Sequence, residues 1–288
     1  MKQLPAPEHA AIVGRLRAAG CVFAEDEADL LVAEAPDAAW LENAVQQRVA
    51  GEPLEYIVGW AEFCGLRVHV APGVFVPRLR TSVLVHEALR VAPRAPVVLD
   101  LCCGAGGIGA AILAARPDAV IHAADIDPAA TACAERTLGE VAARASAAGP
   151  RPAGRSQVYT GDLYDPLPST LRGTVDVLVA NAPYVPTDDI RLMPTEARDH
   201  ELTAALDGGL DGLELQRKVA RAAGEWLAPH GHLLIETSRR QAAATGGILE
   251  SAGFSASTVR DDEVEGTVAV GERAHHHTSL SLPAQRDG

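Results

Sequence analysis

Two short stretches of this chain have residue types and spacing suited to chemistry. The first is Asp100-Leu101-Cys102-Cys103-Gly104-Ala105-Gly106-Gly107-Ile108-Gly109, which follows an apolar run; the next such run ends at Asp125. Gly104, Gly106 and Gly109 spell a glycine pattern known for cradling a pyrophosphate, with an acid further on for a ribose. Asp100 argues against phosphate, because a carboxylate at the strand tip would face the pyrophosphate and repel it. A cationic, phosphate-free nucleoside reverses the sign. S-adenosylmethionine carries an ammonium and a sulfonium, so Asp100, Asp125 and Asp162 suit its amino-acid end, ribose and adenine. The competing reading is that these aspartates only cap helices or turns. The loop calls for small residues so that backbone can approach the ligand, and Cys102 stands where glycine would crowd it less.

The second stretch is Asn181-Ala182-Pro183-Tyr184, directly after the apolar run 175–180. A planar amide nitrogen is a poor nucleophile and gains positive charge as it attacks a methyl group. Acceptors aimed at its N–H groups stabilise that charge. The Asn181 side-chain oxygen and the Ala182 carbonyl, held extended before proline, offer two such acceptors, and Tyr184 offers a ring against a planar amide or base. The alternative is an ordinary Asn-Pro turn. No histidine is close in sequence, so the chemistry needs positioning more than a general base.

The elements that must hold these stretches fall into two groups. Up to about residue 50, apolar residues recur at helical spacing, as in Ile12, Val13 and Leu16, then Ala28, Leu31 and Ala35, then Leu41, Ala44, Val45 and Val49. Three short helices are expected, stopped at Gly51-Glu52-Pro53, then a hairpin within 56–76 and a boundary near Pro72 and Gly73. Beyond it, strands are expected at 97–101, 120–125, 157–160, 175–180, 232–237, 255–259 and 267–270. Helices are expected at 83–91, 108–115, 129–143, 212–227 and 241–252. This alternation predicts an α/β fold with a mostly parallel sheet covered on both faces and a ligand at the carboxyl ends of the strands. Residues 142–156, rich in Ala, Arg, Gly and Pro, read as a flexible connection, and the tail with His275, His276 and His277 as frayed.

Composition narrows the function classes. Hydrophobic residues at 48% and charged ones at 22% fit a packed globular protein. The formal charge of −13 repels phosphate backbones, and 4% aromatic residues leave few rings to stack on bases, so nucleic acid is a disfavoured partner. No run approaches the roughly 18 apolar residues of a membrane span, and the first residues do not read as an export signal; a soluble cytoplasmic protein is expected. Five cysteines without metal-ligand spacing read as reduced thiols, no metal is expected, and Cys133 reads as core. Glu236 and Glu201 read as solvated carboxylates near the site. Arg78 either orients a substrate or pairs with a surface acid.

The run from Gly51-Glu52-Pro53 through Val76-Pro77-Arg78, Asp100 to Gly106 and Asn181 to Tyr184 resembles, in that order, the HemK/PrmC family of protein glutamine N(5)-methyltransferases. The resemblance implies a Rossmann-like, seven-stranded class I methyltransferase domain at 73–288. Before it, at 1–72, would come a helical domain with a hairpin linker that recognises a protein substrate. It implies S-adenosylmethionine held by Asp100, Cys102, Cys103, Gly104, Ala105, Gly106 and Asp125, with Asp162 and Leu163 bordering the adenine and Asn181 at the methyl. Asn181, Ala182, Pro183 and Tyr184 would hold the glutamine of a Gly-Gly-Gln motif in a peptide chain release factor. The chain departs from the family pattern at Ala182, where proline is usual, at Cys102, where glycine is usual, and at Arg80-Thr81-Ser82. Two other readings stay open: methylation of an amino group on nucleic acid, and a non-catalytic binding module.

Overall fold

The computed structural model describes residues 4–147, 155–193 and 195–273. Helices form where the periodicity places them: α1 (Ala6–Ala18), α2 (Ala24–Glu34) and α3 (Ala38–Val49). The Asp37 side chain accepts from Trp40 N at 2.8 Å and caps α3, pairing a first-turn donor that the helix leaves free. Leu16, Leu31 and Val45 bury one stripe of each helix in a core of their own.

The stretch expected to be a hairpin begins instead with a short helix, α4 (Leu54–Val58). Pro53 precedes it and Gly59 closes it at φ 80°, a proline-first, glycine-last signal that the apolar alternation obscured. The hairpin pairs β1 (Trp60–Phe63) with β2 (Leu66–His69) around Cys64 and Gly65, both at positive φ as a two-residue turn requires. Ala61, Phe63 and Val68 join the core of the sheet domain rather than that of the three helices.

After α5 (Ser82–Val91), seven strands form one sheet. They are β3 (Val97–Leu101), β4 (Val120–Asp125), β5 (Arg155–Thr160), β6 (Val175–Ala180), β7 (Leu227–Glu236), β8 (Phe254–Asp261) and β9 (Gly266–Arg273), in the order β5-β4-β3-β6-β7-β9-β8. Only β9 runs antiparallel to its neighbours, returning by a hairpin from β8 to sit beside β7. The remaining helices are α6 (Gly107–Ala115), α7 (Pro128–Ala147), α8 (Thr195–His200), α9 (Glu214–Trp226) and α10 (Ala242–Ser251). Val98, Val177 and Val179 pack on one face with α5, α6 and α7; Leu99, Leu101 and Leu178 pack on the other with α9 and α10. With both faces covered, central strands read as unbroken apolar runs.

Three expectations shift. Helix α7 continues through Ala147 and takes the first part of the expected connection, whose residues 148–154 lie outside the described ones, as do His275, His276 and His277. Strand β7 begins at Leu227, ahead of the expected 232, and α8 was not anticipated because the polar stretch 195–200 has no apolar stripe. No helix among the described residues is long and apolar enough to cross a membrane.

Strand order locates the site. From β3 the chain winds outward to β4 and β5, then returns to β6 on the other side of β3. The connections leaving β3 and β6 therefore diverge and open a crevice at their carboxyl ends. Leu101 and Ala180 are register partners there, so the glycine loop and the tetrapeptide start side by side.

Candidate active site

A cavity of about 320 Å³ fills this crevice, walled by the glycine loop, the tetrapeptide, the 73–81 linker, and Val185, Met193, Leu202 and Leu206. At the loop end the backbone does most of the work. Cys102, Gly104 and Gly106 all have positive φ, and Gly106 starts α6 in the left-handed region. A side chain at Gly106 would put Cβ 2.9 Å from that of Ala134 on α7, so glycine is required by both conformation and space. Cys102 adopts φ 54°, which costs a non-glycine residue roughly 1–2 kcal/mol.

Several amide hydrogens of this loop have protein partners. Asp125 Oδ2 accepts from Gly104 N at 2.8 Å, and Gly106 N donates to the Cys103 carbonyl at 2.8 Å. Asp100 is fully buried; its Oδ2 accepts from Gly109 N at 3.0 Å in the first turn of α6, and Oδ1 has no partner. A carboxylate thus takes one of the first-turn amides of α6 and sets a negative charge beside the helix N-terminus, where a phosphate would meet repulsion. Burial pushes the Asp100 pKa up to about 7 and raises that of Asp125, whose own contacts to the Asp127 and Gly104 amides pull the other way.

Asp125, Asp127 and Asp162 line this end, with apolar walls from Ile126, which is 63% exposed, and Leu163. Among the described residues, the basic side chains on the cavity wall are Arg78 and Arg80, at the opposite end. A nicotinamide dinucleotide would meet carboxylates without counter-charges, whereas a phosphate-free cationic nucleoside meets hydroxyl acceptors, apolar walls and matching charge. Ahead of Gly104 no protein atom lies within 4 Å of a built Cβ, which leaves room for a ligand against the backbone. These residues fit S-adenosylmethionine.

The other end is assembled from distant segments. Asn181 Nδ2 donates to Thr81 Oγ1 at 3.4 Å, and Ala182 is fully buried in the cavity wall. The Tyr184 hydroxyl donates to Glu236 Oε1 at 3.3 Å, while its carbonyl accepts from Gln241 Nε2 at 3.0 Å. Gly212, at φ 74°, packs so closely that a Cβ there would lie 2.3 Å from the Tyr184 carbonyl oxygen. Burial pushes the Tyr184 hydroxyl up to about 12, so it stays a donor. Across the mouth, the guanidinium of Arg78 lies 5.2 Å from the Phe75 ring centroid and pairs with Glu201, and Leu202 N donates to the Gly73 carbonyl at 3.3 Å. Glu201 and Leu202 are in this way tied to the linker that follows the hairpin.

Of the residues singled out from the sequence, Cys102, Cys103, Gly104, Ala105, Asp125, Asp162, Leu163, Asn181, Ala182, Pro183 and Tyr184 all line the cavity. Asp100 and Gly106 stand behind the wall, turned toward α6 and α7. Glu236 and Glu201, expected to be solvated, are 2% and 7% exposed, and Arg78 pairs with that buried acid rather than a surface one. Cys133 is core, as expected. Sequence reasoning missed Ile126, Phe75, Thr81, Gln241 and Gly212. The dense turn Asp207-Gly208-Gly209-Leu210-Asp211-Gly212 was the available signal for the last, because so many glycines before a helix mark a close backbone approach.

A seven-stranded sheet of this order, with its glycine loop and acidic second strand end, defines a class I methyltransferase, the class that uses S-adenosylmethionine. Residues 65–197 match the family described as the methyltransferase small domain. The fold is shared with a methyltransferase from Pyrococcus furiosus, at 15% identity and a TM-score of 0.53 over 73% of this chain and 90% of that one. The release factor glutamine methyltransferase of Geobacter sulfurreducens is 39% identical over 73% of this chain and 69% of its own length. A 4-amino-L-phenylalanine/4-methylamino-L-phenylalanine methyltransferase of Streptomyces pristinaespiralis is 33% identical over 83% and 78%. The chain belongs to the release factor glutamine methyltransferase family.

Proposed function

We propose that this protein transfers a methyl group from S-adenosylmethionine to the side-chain amide nitrogen of a glutamine, in the Gly-Gly-Gln motif of a peptide chain release factor. The observation that carries the reading is the Asn181 amide: with Nδ2 given to Thr81, its oxygen is left for the cavity beside Ala182. Bound S-adenosylmethionine supplies an electrophilic sulfonium methyl. Asn181 Oδ1 and the Ala182 carbonyl accept the two N–H groups of the substrate amide, whose hydrogens become more acidic as the nitrogen loses its conjugation. Tyr184 lies against the amide plane and fixes its tilt. The extra proton leaves to water, because an N-methylated, protonated amide is a strong acid. Cys102 to Gly106 and Asp125 hold the cofactor in this reading, Asp162 and Leu163 border its base, and the helices of residues 1–72 recognise the protein substrate.

The test is intact-mass and peptide analysis of a class I release factor incubated with the protein and S-adenosylmethionine, with Asn181→Ala alongside. One methyl on the Gly-Gly-Gln glutamine, absent with Asn181→Ala, is expected. Methylation of free 4-amino-L-phenylalanine or of nucleic acid instead would overturn the substrate. Cofactor binding without transfer to any of the three would leave a binding module.

A further inference from the structure

Among the described residues, the tetrapeptide end of the cavity wall carries two guanidinium groups, and they differ in what they touch. Arg78 is committed: it pairs with the buried Glu201, whose Oε1 also accepts from Val76 N at 3.4 Å, and it lies against the Phe75 ring. Arg80 is exposed on the same wall and makes no hydrogen bond or ion pair with a described residue. Its backbone is nevertheless fixed. It sits in the 3₁₀ turn Leu79–Thr81, and β9 comes so near that a Cβ at Gly266 would lie 2.6 Å from the Arg80 carbonyl oxygen. Thr81, whose Cα follows about 3.8 Å further on, accepts from Asn181 Nδ2. An uncommitted guanidinium therefore stands next to the residue that holds the Asn181 amide. The far end of the cavity is lined by Asp125, Asp127 and Asp162, and the chain carries a formal charge of −13. A carboxylate that enters is repelled there and drawn to this end.

We propose that Arg80 is a specificity-determining residue that takes an acidic side chain flanking the methylated glutamine in the protein substrate. A guanidinium stays charged, and its planar fork matches a carboxylate through two parallel N–H groups. With the target amide on Asn181 and Ala182 and a neighbouring acid on Arg80, the substrate is held at two points and its glutamine cannot swing away from the methyl. This use of Arg80 rests on the glutamine reading above and narrows it to sequences with an acid close by. Two other partners are weaker candidates. The carboxylate of S-adenosylmethionine is already balanced by the ammonium on the same carbon. Glu236 is buried, with Oε1 taken by the Tyr184 hydroxyl, and Arg80 favours its ionised form only from a distance.

The test is a set of Gly-Gly-Gln peptides of equal length in which a single Glu, or Met as its neutral counterpart, is scanned through the three positions on either side of the motif. Turnover is measured at saturating S-adenosylmethionine, and peptide binding by calorimetry with S-adenosylhomocysteine present. At one or two positions Glu should lower KM and Kd by about 10–100-fold relative to Met, with kcat little changed. Arg80→Gln should bring that ratio close to one, and Arg80→Glu should reverse it in favour of Lys at the same position. No position that prefers Glu, or a preference that survives in Arg80→Gln, would overturn the proposal. So would a loss of cofactor affinity in Arg80→Gln, which would assign the guanidinium to the cofactor carboxylate. An equal loss on acidic and neutral peptides would do the same by making Arg80 a support for Glu236. Binding that depends on Glu and on Arg80 without methyl transfer would overturn the glutamine chemistry and keep the acid recognition. Methylation of all peptides alike, indifferent to Arg80→Gln, would keep the chemistry and overturn the recognition.

Discussion

The two ends of the cavity are built by different means. The loop end is backbone: left-handed residues at 102, 104 and 106, amides spent on Asp125 and on the loop itself, and contacts spanning a few tens of residues. The tetrapeptide end is side chains: Thr81, Asn181, Tyr184, Glu236 and Gln241 arrive from segments up to 160 residues apart and are held by hydrogen bonds between those segments. A backbone site tolerates a foreign side chain as long as the path of the chain is kept, which is how Cys102 is accommodated. A side-chain site with Ala182 keeps the backbone carbonyl that the proposed mechanism uses, and should not tolerate a change of donor into acceptor.

The contrast can be broken most forcefully at Asn181. Asn181→Ala should lower kcat by about 10²–10³-fold with cofactor affinity little changed, measured by turnover and calorimetry; a matching loss of cofactor affinity would mean that the two ends are not separable. At the loop end the large effect should be structural. Gly106→Ala forces a Cβ against Ala134 at φ 76° and should destabilise by roughly 1–3 kcal/mol in denaturant unfolding, with weaker cofactor binding. Asp100 is next. Its folded pKa of about 7 lies above the ordinary 3.8, so the folded state binds the proton more tightly than the unfolded chain does. Stability from this group therefore falls as pH rises between those values. Asp100→Asn should match the native melting temperature near the acid end of that window and exceed it at its alkaline end, in thermal melts at a series of pH values. The smallest change expected is in Cys102→Gly, which removes the left-handed penalty but adds chain entropy, for a net gain of at most about 1 kcal/mol.

Legibility followed the same divide. The loop, Asp125 and the tetrapeptide were readable because each is a contiguous pattern whose chemistry depends on near neighbours. The sequence points Asp100 at the ligand, yet it turns back to Gly109, since an unpaired amide at the start of α6 is a nearer partner than any ligand. From sequence Glu236 reads as a solvated strand end, but β9, entering antiparallel beside β7, and Tyr184 bury the carboxylate. No local pattern announces that, because burial of a polar side chain depends on what the rest of the chain brings over it.

Hydrophobic periodicity, turn residues and two motifs determined the class of fold, the strand ends that carry the site and the kind of cofactor, because each depends on spacing within one element or its immediate neighbour. Tertiary structure alone decided which acids are buried, which way the Asn181 amide turns and what holds Tyr184. Those outcomes depend on desolvation and on hydrogen-bond partners from other segments, and neither exists until the sheet has closed around them.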